Sequence, residues 1–345
     1  MIDFLSSTSH DNPIFSSHRL AKNTGIIASL LFASVGIAPQ SHAAVNFTFN
    51  FNDAAGGGFN ANGQTGIDRR AGLQQAADYV SSFLVNYTAD IVMDVDGSQT
   101  NDTTLASASS AFNASFPGNG FGSRGDVMLK ILNGNGADPS GAADGAIDWN
   151  FEDFTWEPLS DFQPGELDLI STAIHELTHA IGFASDILQN GDSGWGASAG
   201  NPTAWSPFDE FVADSSGALI DGTFALDGTR WNAASVGGTG GNGLFFNGAN
   251  AMAANGGNPV NLYSPTTWAD GSSGSHLDTD FYTGASENMM NHEASALEGL
   301  DIREYTAIEL GILRDIGYTQ LVPEPSSTLM ILLGAGSLLV RRRRA

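Results

Sequence analysis

One short motif combines two metal-binding residues with a residue that can move a proton. It reads His175-Glu176-Leu177-Thr178-His179. Histidines four positions apart lie on the same face of a helix, so both imidazoles can reach one metal ion. Glu176 would then stand beside a metal-bound water as a general base. The motif predicts a zinc site with hydrolytic chemistry. The alternative is a surface or core helix in which this sequence occurs by chance and has no function.

A third metal ligand has to come from outside this motif, because catalytic zinc ions usually have three protein ligands. The chain contains no cysteine, which leaves His, Asp or Glu for this position. His276 and His292 are the two other histidines that follow residue 43, and Asp186 lies shortly after the motif. The residues alone leave these three candidates open.

A helix must hold the motif, and the surrounding residues predict one. Pro164-Gly165-Glu166 is a typical helix start and Gly182 a typical stop. Between them, apolar side chains recur at helical spacing, so the motif would lie mid-helix with an apolar opposite face. These apolar residues are Leu167, Ile170, Ala173, Ile174, Leu177 and Ile181.

The sequence before this helix predicts a mixture of strands and helices. Alternating apolar and polar residues predict strands over 46–51 and 146–154, the second at a sheet edge, and 89–95 is a further strand. Helical spacing predicts helices over 68–84 and 121–132. Asp94, Asp96 and Asp102 lack the spacing and the closing Glu of an EF-hand, so we interpret them as a solvated acidic turn and not as a calcium site.

The residues after the motif divide into two parts. Residues 187–275 are rich in glycine and poor in charge, which predicts loops and short strands rather than helices. Residues 301–318 show helical spacing again, with Asp301 as the expected N-cap. Together these patterns predict an α+β fold.

The N-terminal segment has the order of a secretory signal peptide. Arg19 and Lys22 precede an apolar run over 25–38, and Ser41-His42-Ala43 offers small residues for cleavage. We therefore predict that signal peptidase removes residues 1–43 and that the protein is exported.

The C-terminal segment resembles a sorting signal. Val322-Pro323-Glu324-Pro325 precedes an apolar run over 329–340 and four arginines at 341–344. The run is too short to span a bilayer comfortably. The segment resembles the PEP-CTERM tails of Gram-negative bacteria, which implies an exosortase-type enzyme, transient membrane contact, and delivery to the cell surface or extracellular matrix. The alternative is a plain membrane anchor.

The overall charge restricts the partners. The chain has 38 acidic and 13 basic residues and a formal net charge of −25. Binding to nucleic acid phosphates needs clustered Lys and Arg, so this composition argues against a nucleic acid partner. The absence of cysteine excludes disulfides and a thiol nucleophile.

The zinc motif also has a family resemblance. Extended to Gly182-Phe183, it resembles the start of the metzincin pattern. In most metzincins the third ligand lies three residues after the Gly, where this chain has Ser185. A long insertion followed by His276 and then by Met289-Met290 is instead similar to leishmanolysin-like metzincins, as is a closing helix that ends at Tyr318.

This resemblance implies a site and a reaction. His175, His179 and His276 would hold Zn²⁺, and Glu176 would activate a zinc-bound water that hydrolyses a peptide bond. Met290, or alternatively Met289, would form the Met-turn. The candidates for a tyrosine that stabilises the oxyanion are Tyr263, Tyr282 and Tyr305.

The resemblance also implies a fold and an organisation. We expect a metzincin-like zincin with a twisted mixed sheet, an active-site helix and a loop-rich C-terminal subdomain. Residues 44–163 would form the N-terminal α/β part of the catalytic domain. Residues 164–320 would hold the active-site helix, the Gly-rich insertion, the third ligand, the Met-turn and the last helix, and residues 321–345 the sorting signal.

The expected function is a secreted or surface-sorted zinc endopeptidase that acts on proteins or peptides. The main alternative is a non-enzymatic matrix or surface protein whose zinc site is structural or a relic. A zinc hydrolase that acts on a non-peptide bond is a third possibility.

Overall fold

A computed structural model describes residues 44–99, 104–112, 118–293 and 302–321. The first sheet has four strands in the order β1 (Val45–Phe51), β2 (Ala89–Asp96), β4 (Gly145–Trp149) and β3 (Ala106–Ser110). β1, β2 and β4 run parallel, whereas β3 pairs antiparallel with β4 at the edge. Every second side chain of β2 is buried, which is the alternation that a sheet with one core face requires.

Three helices accompany this sheet. α1 (Gln64–Phe83) packs against α3 (Leu169–Ala180), and α3 also runs against β3 and β4. α2 (Asp126–Asn133) contacts β2 and β3. The helix that carries His175 and His179 is therefore held between a second helix and the antiparallel edge of the sheet.

A second sheet is built entirely from the glycine-rich part of the chain. Its strands are antiparallel, in the order β10 (Val260–Leu262), β9 (Leu244–Phe246), β7 (Val212–Asp214) and β8 (Gly217–Ala218). Fully buried aromatic side chains fill the space around it: Trp205, Trp231, Phe208 and Phe246.

Three further α-helices and a short strand pair follow in the described chain, which also contains four short 3-10 helices. α4 (Gly228–Ala234) and α5 (Ala249–Ala254) lie within the glycine-rich part, and α6 (Ala307–Asp315) packs on α5. β5 (Trp156–Glu157) and β6 (Leu167–Asp168) form a parallel pair just before α3. The described chain is thus a mixed α+β fold, as predicted.

The strand at 46–51, the strand at 89–95 and the helix at 68–84 are confirmed, but the edge-strand prediction was wrong. The strand predicted over 146–154 ends at Trp149 and lies inside the sheet, because β3 pairs along its outer side. β3 has the sequence Ala-Ser-Ala-Ser-Ser, whose small side chains give no apolar alternation. The helix predicted over 121–132 begins only at Asp126.

Two predicted helix starts were also wrong. α3 begins at Leu169 and not at 164–166, because the Asp168 side chain caps it by accepting the Ser171 N–H. α6 begins after Thr306, whose hydroxyl and Glu309 form a capping box. Asp301, the cap expected from the sequence, lies outside the described residues.

The glycine-rich part contains the short helices α4 and α5, so the prediction of loops and strands alone was wrong there. Asp227 caps α4 by accepting two backbone N–H groups, which stabilises a helix despite the many glycines nearby.

The predicted signal peptide, the sorting segment from residue 322 onward, and Asp102 lie outside the described residues. Within the described ranges, no helix has both the length and the apolar character that crossing a membrane requires.

Candidate metal centre

Three histidines from distant parts of the chain meet at one point. The Nε2 atoms of His175, His179 and His276 are each 3.0 Å from the other two. They form a group whose ligand atoms lie close enough to hold a metal ion. The structure therefore brings His276, and neither His292 nor Asp186, together with the two histidines of the motif.

The remaining ring nitrogen of each histidine is tied to a backbone carbonyl. Nδ1 of His175 donates to Met289 O at 2.9 Å, Nδ1 of His179 to Phe183 O at 2.7 Å, and Nδ1 of His276 to Ser272 O at 2.9 Å. With the proton on Nδ1, each Nε2 offers a lone pair to the centre of the group. Metal-binding histidines commonly have such an arrangement.

This donor set fits a zinc ion. Three lone pairs that face one another at 3.0 Å cannot satisfy one another by hydrogen bonding, because none of them carries a proton. Zinc binds imidazole nitrogen at about 2.0–2.1 Å, which in tetrahedral geometry separates the nitrogens by about 3.3 Å. Burial lowers the pKa of His175 to about 4 and that of His179 to about 3, so both rings are neutral at pH 7.

The turn after α3 positions the second histidine. Gly182 has a φ of +106°, a conformation that favours glycine, and a Cβ there would lie 2.9 Å from Met128 Sδ. This turn directs the Phe183 carbonyl back toward His179. At the rear of α3, the Thr178 hydroxyl lies 2.6 Å from that of Tyr305, which anchors the helix.

Glu176 lies beside the histidine group in a buried position, with 6% of its surface exposed. Burial raises the pKa of its carboxyl to about 8, and the backbone N–H of Ala108 on β3 opposes this rise. The edge strand β3, which packs against α3, thus contacts the acidic side chain that lies between His175 and His179.

The segment 289–290 contacts the histidine group on one side and α6 on the other. Met289 provides the acceptor for His175, and Met290 is fully buried. The Met290 N–H donates to Glu309 Oε1 at 2.6 Å, and the Met290 carbonyl accepts from the Leu277 N–H, next to His276. One buried carboxylate on α6 therefore fixes the turn that supports two of the histidines.

The histidine group opens into a cleft of about 920 Å³. Seven consecutive residues, 104–110, line one side of it. Since alternate side chains of a strand point to opposite faces, a continuous run shows that the edge of β3 faces the cleft. Apart from the Ala108 N–H, which contacts Glu176, its unpaired backbone groups are therefore available to a bound chain.

The other predicted site residues lie near the histidine group but outside it. Nδ1 of His292 is 2.8 Å from Thr279 Oγ1, and its Nε2 is 3.2 Å from a Glu293 carboxylate oxygen. Asp186 lies in the cleft wall, where burial and the neighbouring Asp209 raise its pKa well above the usual range.

The three candidate tyrosines contact other parts of the protein. Tyr263 stacks on the His292 ring, with 3.5 Å between ring centroids. The Tyr282 hydroxyl accepts from the Asn261 N–H, and Tyr305 contacts Thr178. No tyrosine is among the residues that line the cleft in the described part of the chain.

Two contributors to the site were missed from the sequence. β3 gave no periodic signal, and Glu309 was not recognised. Thr306 and Glu309 have the spacing of a capping box, and this signal was available. The interpretation of Asp94 and Asp96 as part of a solvated acidic turn was wrong, because both residues lie on strand β2. Asp94 accepts from Asn50, and Asp96 from Ser98.

Comparison with known proteins gives a result for the C-terminal segment. Residues 321–344 match the PEP-CTERM protein-sorting motif. No curated protein matches the chain. The motif confirms the predicted sorting signal and implies recognition by an exosortase-type enzyme and export to the cell surface of a Gram-negative bacterium.

Proposed function

We propose that this exported protein is a zinc-dependent endopeptidase of the metzincin type, similar to the leishmanolysin-like group. The observation that carries the proposal is the triangle of Nε2 atoms 3.0 Å apart, with each Nδ1 tied to a backbone carbonyl. His175, His179 and His276 would hold the zinc ion. Bound there, zinc supplies a Lewis acid that polarises a scissile carbonyl and lowers the pKa of water.

Glu176 performs the proton transfers in this proposal. Its carboxylate accepts a proton from the attacking water and donates it to the amine that leaves. Burial raises the pKa of Glu176 to about 8 in the metal-free protein. The positive charge of a bound zinc ion would lower this pKa, which favours the carboxylate form that a general base needs. Glu176 lines the cleft, and the Ala108 N–H on β3 forms a hydrogen bond with its carboxylate.

The edge of β3 favours a peptide as the substrate. An extended peptide can add to an exposed strand edge through backbone hydrogen bonds, and 104–110 line the cleft beside Glu176. This observation supports an endopeptidase over a zinc hydrolase of small non-peptide substrates.

Metal analysis and an assay on the mature protein test the proposal. We expect about one zinc per chain and hydrolysis of an unfolded protein substrate that stops on chelation and returns with zinc. Glu176→Gln should keep zinc while turnover falls by roughly 10²–10⁴-fold. Glu304→Gln, at an exposed position, is the matched control and should leave both unchanged.

Two results would contradict parts of the proposal. Full zinc loading without hydrolysis of any peptide would favour the surface or matrix protein with a structural zinc site. Near-native turnover in Glu176→Gln would remove Glu176 from the role of general base.

A further inference from the structure

Two neighbouring polar side chains in the cleft wall lack partners. Ser123 Oγ and Arg124 Nε are buried, and no atom of the described chain forms a hydrogen bond with either. Ser123 is 2% exposed, and both residues line the cleft that contains the three histidines. Buried polar groups without partners are rare because they lose their hydration without compensation. This pair therefore points to a ligand.

The other cationic side chains of the described chain are mostly engaged by the protein. Lys130, Arg230 and Arg303 each form a salt bridge with an aspartate. Arg69 and Arg70 donate to backbone carbonyls.

Arg124, in contrast, lies in the cleft wall, and its Nε has no hydrogen-bond partner. Among the described residues that line it, Arg124 is the only Lys or Arg, although four acidic residues besides Glu176 line it too. These are Asp186, Asp270, Glu287 and Glu293. No described carboxylate forms a salt bridge with Arg124, although the chain has a formal net charge of −25.

Ser123 and Arg124 are held at the end of the edge strand. The Ser123 N–H donates to Trp205 O at 3.1 Å. Just beyond Arg124, the Asp126 N–H donates to Ala111 O at 2.7 Å and the Val127 N–H to Ser110 Oγ at 3.1 Å. The backbone around the pair is therefore fixed beside the last residues of β3.

The same pair lies near the end of the helix that carries the zinc motif. The Tyr318 hydroxyl donates to Ile181 O, and Arg124 is close enough to oppose the rise that burial causes in the pKa of Tyr318. A peptide that extends along β3 past the histidines would thus bring a side chain, or its own end, to Arg124.

We propose that Ser123 and Arg124 form a subsite that binds a carboxylate of the peptide, so that acidic peptides are the preferred substrates. A guanidinium can bind a carboxylate through two parallel hydrogen bonds, and a serine hydroxyl can donate a third. The proposal rests on the proposed function for the peptide in the cleft, and it does not depend on hydrolysis.

Peptide selection on a variant that cannot turn over tests this subsite. A random peptide library is bound to zinc-loaded Glu176→Gln, and the retained peptides are identified by mass spectrometry. We expect Asp and Glu to be enriched about tenfold over Asn and Gln, the size expected for hydrogen bonds to a charged group. One arm uses amidated peptides, which carry only side-chain carboxylates, and the other uses free C-termini, so the two arms identify the source of the carboxylate.

Substitutions at Arg124 test whether this residue binds a peptide carboxylate or only stabilises the fold. Arg124→Met in the same background should abolish the enrichment, and Arg124→Glu should select Lys and Arg instead. Ser123→Ala should lower the enrichment of Asp and Glu several-fold. Arg314→Met is the matched control, because Arg314 lies on α6 outside the cleft and also has no ion pair in the described chain. Zinc content and thermal unfolding show whether each variant is folded.

The outcomes distinguish this proposal from the proposed function. Wild-type hydrolysis with no acidic preference in either arm would overturn the carboxylate subsite alone. Acidic selection that Arg124→Met leaves unchanged, in a variant that is folded and loaded with zinc, would also overturn it. Acidic selection that Arg124→Glu reverses would support the subsite even if the wild type hydrolysed no peptide.

Discussion

At the scale of single residues, the candidate metal centre depends on which ring nitrogen of each histidine carries no proton. Three backbone carbonyls hold the Nδ1 protons, so the three Nε2 lone pairs converge. His292 is close by but is used differently, since both of its nitrogens have protein partners. We therefore expect His276, and not His292, to be the third ligand of a bound metal ion.

This difference predicts unequal effects of removing two histidines. His276→Ala should lower zinc affinity by about 10²-fold or more, because changes at groups that merely support a ligand already cost 10–100-fold. His292→Ala, the matched control, should stay within a few-fold of the wild type. Competition with a chromophoric chelator measures both affinities. A greater loss in His292→Ala than in His276→Ala would assign the third ligand to His292.

At the scale of elements, the centre depends on how α3 ends and how the 289–290 turn is supported. Gly182 allows the sharp turn that brings the Phe183 carbonyl to His179. Glu309, at the start of α6, accepts the N–H groups of Met290 and Thr306. Neither Gly182 nor Glu309 would bind the metal. We expect each to affect zinc affinity by holding the ligand histidines in place.

Gly182→Ala should reduce both stability and zinc affinity. The φ of +106° and the approach of Met128 Sδ to 2.9 Å predict a cost of roughly 1–3 kcal/mol in the free energy of unfolding. Gly240→Ala is the control, because Gly240 has a φ of +87° and open space around the added Cβ. It should show backbone strain without loss of zinc affinity. Urea unfolding and chelator competition measure the two effects, and equal zinc affinities in the two variants would contradict the role of the turn.

Glu309 should make stability depend on pH in the chelated protein. Burial raises its pKa from 4.5 to about 7, so the unfolded chain releases this proton at a lower pH than the folded chain does. The contribution of Glu309 to the free energy of unfolding is therefore highest below pH 4.5 and falls as the pH rises through 7. The fall amounts to at most about 3 kcal/mol.

Urea unfolding of the wild type and of Glu309→Gln between pH 5 and pH 8 checks this sign. The amide of the variant cannot titrate, so the stability of the wild type relative to the variant should decrease as the pH rises. A difference that is constant, or that grows with pH, would contradict a raised pKa at this position.

At the scale of the whole molecule, the histidine group and the sorting motif lie in different parts of the chain. The described chain contains the histidine group and the cleft, whereas the PEP-CTERM motif lies at residues 321–344. We therefore expect sorting and zinc binding to be separable by mutation.

Replacing Pro323, Glu324 and Pro325 by alanine should stop delivery to the cell surface. The apolar run and the arginines remain, so the uncut chain should accumulate in the membrane fraction. Its body should still bind about one zinc per chain. Cell fractionation with immunodetection, beside the wild type, measures the distribution. Delivery of the variant to the surface at the wild-type level would show that the motif is not needed for sorting.

Local features of this protein could be predicted from its sequence, because they depend on residues that are neighbours along the chain. Helical spacing places His175 and His179 on one face, and the two terminal segments follow the order of export and sorting signals. The absence of cysteine limits the ligands of any zinc site.

The tertiary structure decided which distant residues complete the site. His276 is 97 residues from His179, and no local pattern distinguishes it from His292. β3 is placed by its pairing with β4, and Ser123 and Arg124 are placed in the cleft by the end of that strand. These contacts depend on how the elements pack against one another, and a periodic pattern in the sequence does not record that packing.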